Sequence, residues 1–136
     1  MYFSTSICYG IMIFGIGTDI IEVSRVGELV GKGNHYTDGV FTSGEIEYCE
    51  SKKNKNQHYA GRFAAKEAFL KALGTGWAQG ISFIQVDVYN DEAGKPEIRL
   101  TGKAEEFVKE NRINKIYVSI THLKDYAVAM VVLETS

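Results

Sequence analysis

The chain has 136 residues, of which 45% are hydrophobic and 24% are charged, and its formal net charge is −2. This length corresponds to one domain, or two at most, with enough apolar residues to bury a core without disulfides or a structural metal. The charge excludes a strongly basic nucleic-acid binder, and no apolar run reaches the roughly 18 residues that span a bilayer.

The first fourteen residues, MYFSTSICYGIMIF, are apolar but do not fit a secretory signal peptide. They lack a positively charged region at the start, and a strand pattern follows them without a break. We therefore assign residues 1–11 to an N-terminal extension and residues 12–136 to the domain. Cys8 and Cys49 have neither CxxC spacing nor nearby histidines, which favours reduced thiols in a cytoplasmic protein.

The first half of the chain is predicted to contain one strand followed by helices. Thr42 and Glu45 have the spacing of a capping box, and Gly74 stands where a glycine ends a long helix. In chain order, the pattern predicts a buried strand over 12–20, a helix over 22–31, a loop over 33–38, a helix from 43 to about 51, a polar loop over 52–57 and a helix over 59–73.

The second half is predicted to be rich in strands, because apolar and polar residues alternate along it. The prediction comprises strands over 84–88, 97–100, 116–120 and 126–133, a turn over 90–96, and a helix from Thr101 to about 111. The last strand is apolar on both faces, which is typical of a central strand. The element order predicts an α+β domain with a mostly antiparallel sheet packed with helices.

The first candidate site lies where the initial strand ends, in the segment GIGTDI. Asp19 is poorly suited to core packing there and well placed to hold a hard cation. The alternative is that Asp19 only caps the following helix, which is a common role for aspartate. Gly15 and Gly17 do not make a nucleotide-binding fingerprint, because GxG without the third glycine is a weak signal.

The second candidate site lies in the long predicted helix, in the segment GRFAAKEAF. Glu67 shares a side of this helix with Phe63 and Leu70, and a buried carboxylate is costly for a protein. Lys71 is four residues beyond Glu67. The alternative is therefore an ordinary surface ion pair, worth about 0.3–0.5 kcal/mol.

Together, Asp19 and Glu67 suit Mg²⁺, which usually takes one or two protein carboxylates and completes its coordination with water and phosphate oxygens. Lys71 would add a point charge beside the same phosphates. This combination predicts transfer of a phosphate-containing group. A third candidate, His122, ends a strand and is either a structural histidine or one that binds phosphate.

Three segments that carry these candidates resemble the bacterial holo-acyl-carrier-protein synthases, which are small phosphopantetheinyl transferases. They are GIGTDIIEVSRV near the start, AGRFAAKEAFLKALGTG in the middle and VSITHLKDYAVA near the end. The likeness covers Met12 to about Glu134 in the family's motif order, and the middle segment is the most specific. The resemblance implies a phosphopantetheinyl transferase-like fold.

The resemblance also implies a role for each matching residue. Asp19 and Glu67 match the family's metal ligands, and both would be catalytic. Lys71 matches a catalytic lysine that contacts coenzyme A phosphate. The other residues implied to line the coenzyme A site are Arg62, Gly74, His122 and, near the 3′-phosphate, Lys53.

The reaction and the partners follow from the same resemblance. The family moves 4′-phosphopantetheine from coenzyme A to a serine of apo-acyl carrier protein, with Mg²⁺, and releases adenosine 3′,5′-bisphosphate in fatty acid biosynthesis. Arg25 matches a basic residue that meets the acidic carrier protein. We expect a homotrimer with active sites at subunit interfaces, and neither nucleic acid nor a membrane as a partner.

Two other functions remain compatible with the same residues. A non-catalytic oligomeric module could bind a nucleotide in this cleft, with Asp19 as a helix cap and Glu67–Lys71 as an ion pair. Its binding of coenzyme A would then be indifferent to Mg²⁺. A metal-dependent phosphohydrolase would instead consume coenzyme A or a nucleotide with no acceptor protein present.

Overall fold

The structure, a computed structural model, describes residues 10–76 and 78–136. All strand pairs in these ranges are antiparallel, and helices pack against them, which confirms the predicted α+β class. The strands are β1 (Met12–Glu22), β2 (Val86–Asn90), β3 (Pro96–Leu100), β4 (Ile113–His122) and β5 (Tyr126–Thr135). The helices are α1 (Val23–Gly31), α2 (Asn34–Thr37), α3 (Ser43–Glu50), α4 (Lys55–Leu73) and α5 (Gly102–Glu110).

A three-stranded sheet with the order β1-β5-β4 forms the centre of the fold. Its middle strand is β5, as the apolar sequence of this strand predicts. The predicted hairpin of β2 and β3 forms a separate two-stranded sheet. The long helix α4 covers one face of the central sheet, which we call the inner face, and the opposite face is the outer face.

Two glycines in β1 let α4 approach the sheet closely. A Cβ atom on Gly17 would stand 1.8 Å from the carbonyl oxygen of Ala68, and one on Gly15 would stand 2.0 Å from that of Ala72. The alanines of α4 complete this fit, because their small side chains keep the helix backbone near the strand. The glycines are therefore required for packing of the helix on the strand.

Both predicted helix-end signals are confirmed. The Thr42 hydroxyl accepts a hydrogen bond from the Glu45 backbone N–H at 3.2 Å, and Glu45 Oε1 accepts one from the Thr42 N–H at 2.8 Å. Gly74 ends α4 with φ of 80°, in the left-handed region that a C-terminal cap requires. Thr101 holds the N-cap position of α5, although its side chain makes no capping hydrogen bond.

Two predicted loops contain helix. The segment 33–38 includes the single turn α2, which follows Gly33 and places Thr37 in the core. Helix α4 begins at Lys55, earlier than the predicted Tyr59, because the polar residues before Tyr59 accept helical geometry without needing burial. The loop predictions for these residues were therefore wrong.

The strand predicted over 84–88 begins later than expected. Phe83–Gln85 form a 3₁₀ turn, and Ile84 is exposed. This segment is bound to α4, because the ammonium of Lys66 donates hydrogen bonds to the carbonyl oxygens of Phe83 and Val86. These bonds favour the 3₁₀ turn over strand pairing in the residues before β2.

At the N-terminus, the described residues begin at Gly10. Most of the predicted extension over 1–11, including Cys8, lies outside the described residues, and β1 starts at Met12. Cys49 is a buried free thiol whose pKa burial raises to about 12. Within the described ranges, every helix is too short or too polar to span a lipid bilayer.

Candidate functional site

Asp19 and Lys71 meet at the edge of the central sheet. Asp19 lies on the edge strand β1 opposite Ala129 of β5, and its side chain is 15% exposed. The Lys71 ammonium, in the last turn of α4, lies 3.1 Å from Asp19 Oδ1. Asp19 does not cap a helix, since α1 begins at Val23 with Glu22 in the N-cap position. The capping alternative is therefore wrong.

Glu67 lies one turn before Lys71 on the same side of α4, because residues four apart share a helix face. Its side chain is half-buried. The helix comes closest to β1 at Gly17 and Ala68, which stand two residues from Asp19 and one residue from Glu67. The fold therefore places the two predicted carboxylates on elements that are in direct contact, and Lys71 bridges those elements.

Arg62 and His122 line a cavity that lies near the start of α4, away from Asp19. Its volume is about 150 Å³, and the two residues share its wall with Tyr48, His58 and Asn90. None of the described residues that line it is an aspartate or a glutamate. We call this cavity the Arg62 pocket, and its lining suits an anion.

Arg62 is buried in this pocket with one N–H unused. The side chain is 4% exposed, its Nη2 donates to Asn90 Oδ1 at 2.5 Å, and its guanidinium carbon lies 3.7 Å from the centre of the Tyr48 ring. The Nε atom has no hydrogen-bond partner among the described residues. A buried N–H without a partner is costly, so Arg62 is held here with part of its hydrogen-bonding capacity unmet.

His122 is held between α4 and the end of β4. Its Nδ1 lies 2.9 Å from Oε1 of Gln57, and its ring packs edge-on against the ring of His58 with 5.1 Å between centroids. Partial burial, followed by the positive potential of His122, Lys52 and Arg62, lowers the pKa of His58. The pocket thus gathers two imidazoles beside a guanidinium.

The other three predicted residues lie apart from these two groups. Lys53 lines a separate groove with Lys55 and Lys124. Gly74 ends α4 beyond the Asp19 contact, and Arg25 is exposed on α1. Within the described residues, one chain therefore presents the predicted site residues as separate groups.

Sequence reasoning missed a buried ion pair. Lys66 and Glu45 are both fully buried, and Lys66 Nζ lies 2.7 Å from Glu45 Oε1. Glu45 Oε2 also accepts a hydrogen bond from the Val88 N–H at 2.7 Å. Desolvation lowers the pKa of Lys66 and raises the pKa of Glu45, and the attraction between the two charges opposes both shifts. In the sequence, the capping box alone accounts for Glu45, so the pattern gives no indication of its ion pair with Lys66.

The side chains of Asp19 and Glu67 are carboxylates, the ligand type that a hard divalent cation prefers. Asp19 already holds the cation of Lys71 at 3.1 Å, so this position attracts positive charge. In the described part of the chain, no group of three or more His, Cys, Asp and Glu side chains could hold a metal ion. A site based on two carboxylates is of the kind that Mg²⁺ completes with water and phosphate oxygens.

The Asp19 edge opens onto the outer face of the central sheet. A groove of about 410 Å³ joins Asp19 and Lys71 to the outer-face residues Thr18, Ile20 and Val128. The outer face carries exposed apolar side chains beside polar ones such as Thr18 and Ser119, and a cluster of exposed apolar side chains indicates an interaction site. Four of its large side chains are 41–65% exposed, and they are Ile16, Ile20, Tyr117 and Met130.

Known proteins resemble this chain along nearly its whole length. The family model of the 4′-phosphopantetheinyl transferase superfamily matches residues 15–131. A curated holo-[acyl-carrier-protein] synthase from Geobacter sp. (strain M21) is 51% identical over 124 residues, which are 90% of this chain and 99% of the relative.

Solved structures of such synthases share the fold. The crystal structure from Neisseria meningitidis superposes with a TM-score of 0.83 at 34% identity, covering 91% of this chain and all (100%) of that one. The structure from Bacillus anthracis, a complex with CoA (3′,5′-ADP), has a TM-score of 0.76 at 38% identity and covers 92% and 99% of the two chains.

Proposed function

This chain belongs to the 4′-phosphopantetheinyl transferase superfamily, among its holo-[acyl-carrier-protein] synthases, and we propose that its donor is coenzyme A and its cofactor Mg²⁺. The enzyme transfers phosphopantetheine to an acyl carrier protein, and the proposed acceptor group is a serine hydroxyl. The observation that carries the proposal is the contact of Asp19 with Lys71, beside the turn of α4 that bears Glu67.

Two observations support coenzyme A as the donor. The Arg62 pocket is lined by a buried guanidinium and has no carboxylate among its described residues, which suits a phosphate group. The similar structure from Bacillus anthracis is a complex with CoA (3′,5′-ADP). Arg62, His122, Gly74 and Lys53 are therefore proposed to bind coenzyme A, together with Lys71.

The proposed metal site consists of Asp19 and Glu67. A bound Mg²⁺ ion would neutralise negative charge on the pyrophosphate of the donor. Lys71 is free to serve the same purpose, because its side chain is 56% exposed and an ion held by Asp19 would replace it there. Its ammonium would then turn towards the phosphates and stabilise the charge that grows as the bond breaks.

The proposed chemical step is a single displacement. The serine oxygen of the carrier protein attacks the β-phosphorus of coenzyme A, and a new phosphorus–oxygen bond forms. The bond between that phosphorus and the bridging oxygen breaks, and adenosine 3′,5′-bisphosphate leaves. The hydroxyl proton is proposed to pass to the half-buried carboxylate of Glu67, directly or through a water molecule.

A homotrimer with active sites at subunit interfaces is part of the proposal. The outer face exposes large apolar side chains, and the groove at Asp19 opens onto that face. A second copy seated on the outer face would cover this surface and bring its own side chains to Asp19. The separate groups of site residues in one chain could then form one continuous cleft.

Arg25 is the proposed contact for the carrier protein. It is exposed on α1, whose Val23 and Val26 are buried, so the core fixes the helix while Arg25 remains available to an acidic partner.

Two further parts of the proposal are fatty acid biosynthesis as the pathway, which rests on the resemblance, and a cytoplasmic location, which rests on the cysteine spacing.

A transfer assay tests the proposed function. Purified protein is incubated with coenzyme A, Mg²⁺ and apo-acyl carrier protein, and the mass of the carrier is measured. We expect the mass to rise by one phosphopantetheine, with adenosine 3′,5′-bisphosphate as the other product. A carrier whose mass stays unchanged under these conditions would contradict the proposal.

Variants of the two carboxylates connect the assay to the site. Asp19→Ala and Glu67→Ala should each abolish transfer while circular dichroism shows an intact fold. Full activity in either variant would remove that residue from the mechanism. Glu110→Gln, an exposed carboxylate on α5, is the matched control and should retain full activity.

Two controls without the carrier distinguish the other candidate functions. Calorimetry that finds coenzyme A binding unchanged by Mg²⁺ would favour the binding module. Consumption of coenzyme A in the absence of any carrier protein would favour the phosphohydrolase.

A further inference from the structure

His58 lines the Arg62 pocket and has no role in the reaction described above. It lies on α4 one turn before Arg62, and its side chain is half-buried. Its ring packs edge-on against His122, at 5.1 Å between centroids, and against Tyr48, at 5.6 Å. A positive charge on His58 would therefore act on any ligand inside the pocket.

The described groups that face His58 are basic or uncharged. Arg62 approaches from its own helix, Lys52 from the segment after α3, His122 from β4 and Tyr48 from α3, while the β2–β3 hairpin contributes only uncharged residues. Burial, His122, Lys52 and Arg62 lower the pKa of His58, in that order. Without a ligand, these surroundings therefore favour the neutral form of His58.

A phosphate group in this pocket would oppose these effects and raise the pKa of His58. Its negative charge would favour the protonated imidazole and would be attracted by the guanidinium of Arg62, which lines the same pocket. The volume of about 150 Å³ leaves room for a group of this size. The pocket thus contains a titratable side chain whose charge depends on whether the ligand is present.

We propose that His58 is a further binding residue, which takes up a proton when a phosphate group of coenzyme A enters the Arg62 pocket. The inference rests on the proposed function, which supplies the ligand. It assigns His58 to binding and not to the displacement step, since the reacting phosphorus is proposed to lie at Asp19.

The proton uptake fixes the sign of the pH dependence. Below the pKa of His58 in the free enzyme, the imidazole is charged with and without ligand, and affinity is highest. Between the free-state and bound-state pKa values, binding requires a proton, so affinity falls by up to about tenfold for each pH unit. Above both values, His58 is neutral in both states and its contribution is lost.

Calorimetry of coenzyme A binding, with Mg²⁺ present, tests the inference. Titrations in two buffers of different ionisation enthalpy give the number of protons taken up, and a pH series gives the affinity. His58→Gln keeps a polar side chain of similar reach that cannot become charged. The ionisation of the ligand itself contributes equally to both proteins and cancels in the difference.

We expect His58→Gln to lose part of the proton uptake. It should bind coenzyme A about three- to tenfold more weakly than the wild type at mildly acidic pH, and equally well at alkaline pH. A purely structural role would weaken binding at every pH alike. Should the variant fold poorly in a denaturant titration, the imidazole resonances of the wild type, with and without coenzyme A, provide the same pKa comparison.

A parallel titration with 3′-dephospho-coenzyme A identifies the phosphate. Loss of the His58-dependent uptake would assign it to the terminal monoester, and retention would assign it to the pyrophosphate; either result supports the role. Equal proton uptake and equal pH dependence in the wild type and His58→Gln would overturn it. Absence of coenzyme A binding to the wild type at every pH would instead remove the proposed function, and the inference with it.

Discussion

Two lysines of α4, five residues apart, form ion pairs of opposite kinds. Lys66 is fully buried with Glu45 and donates to two backbone carbonyls as well, so each of its protons has an acceptor. Lys71 is 56% exposed and pairs with Asp19 at the sheet edge. A buried, fully bonded pair fixes its elements, whereas a partly exposed pair can exchange partners at little cost. Glu67 lies between the fixed contact and the exchangeable one.

Breaking the buried pair should have the largest effect. Lys66→Met should lower the free energy of unfolding by about 3–5 kcal/mol, because it leaves the charge of Glu45 buried without its partner. Urea denaturation measures the loss. Adding Glu45→Gln should recover more than half of it by removing that charge, and a Lys66→Met protein as stable as the wild type would show that the pair is not structural.

Breaking the exposed pair should affect catalysis and leave stability nearly unchanged. Lys71→Met should slow transfer to the carrier protein by about 10²–10³-fold, because one charge that stabilises the transition state is lost. Its free energy of unfolding should change by no more than about 1 kcal/mol. If stability fell as far as in Lys66→Met while the rate stayed normal, the two lysines would have been assigned the wrong way round.

A substitution that moves α4 away from β1 should lower stability and also disturb the contact of Lys71 with Asp19. Gly17→Ala places a methyl group against the carbonyl of Ala68, and we expect it to cost about 1–3 kcal/mol and to slow transfer by displacing Lys71 from Asp19. Gly44→Ala is the matched control, because no described residue outside its own stretch of helix comes within 4 Å of a Cβ there and α3 gains about 0.5–1 kcal/mol from alanine. Two variants of equal stability would contradict the close approach.

The smallest expected effect concerns Cys49, which lies on the buried side of α3. Burial raises the pKa of its thiol to about 12, so in a Cys8→Ser background the thiol should react with a disulfide reagent only after unfolding. By linkage, the stability that this neutral thiol contributes is present below the ordinary thiol pKa and is lost as pH rises towards about 12. Rapid labelling of the native protein would contradict this burial.

The sequence predicted what depends on local patterns. The capping box of Thr42 and Glu45, the helix end at Gly74 and the central position of β5 follow from spacing and periodicity, and all three are confirmed. The contact of Asp19 with Lys71 joins residues 52 positions apart. It depends on how β1 packs against α4; the sequence analysis grouped Asp19, Glu67 and Lys71 by their chemistry and did not predict this contact.

The parts that were missed arise from tertiary contacts. The buried role of Lys66 depends on where Phe83 and Val86 place their carbonyl oxygens, and the sequence of an alanine-rich helix does not contain that information. The glycines of β1 matter through a helix backbone that comes from a distant part of the chain. The position of His58 beside His122 and Arg62 also results from the fold, and no local sequence pattern indicates it.

The most direct test of the account measures whether Asp19 and Glu67 share one divalent ion. Mn²⁺ binding, followed by electron paramagnetic resonance in the presence of coenzyme A, should give one site per chain in the wild type. Asp19→Ala and Glu67→Ala should each weaken that site by at least about tenfold, and the double variant should show no site of comparable affinity. Wild-type Mn²⁺ affinity in either single variant would contradict a shared ion and the mechanism that depends on it.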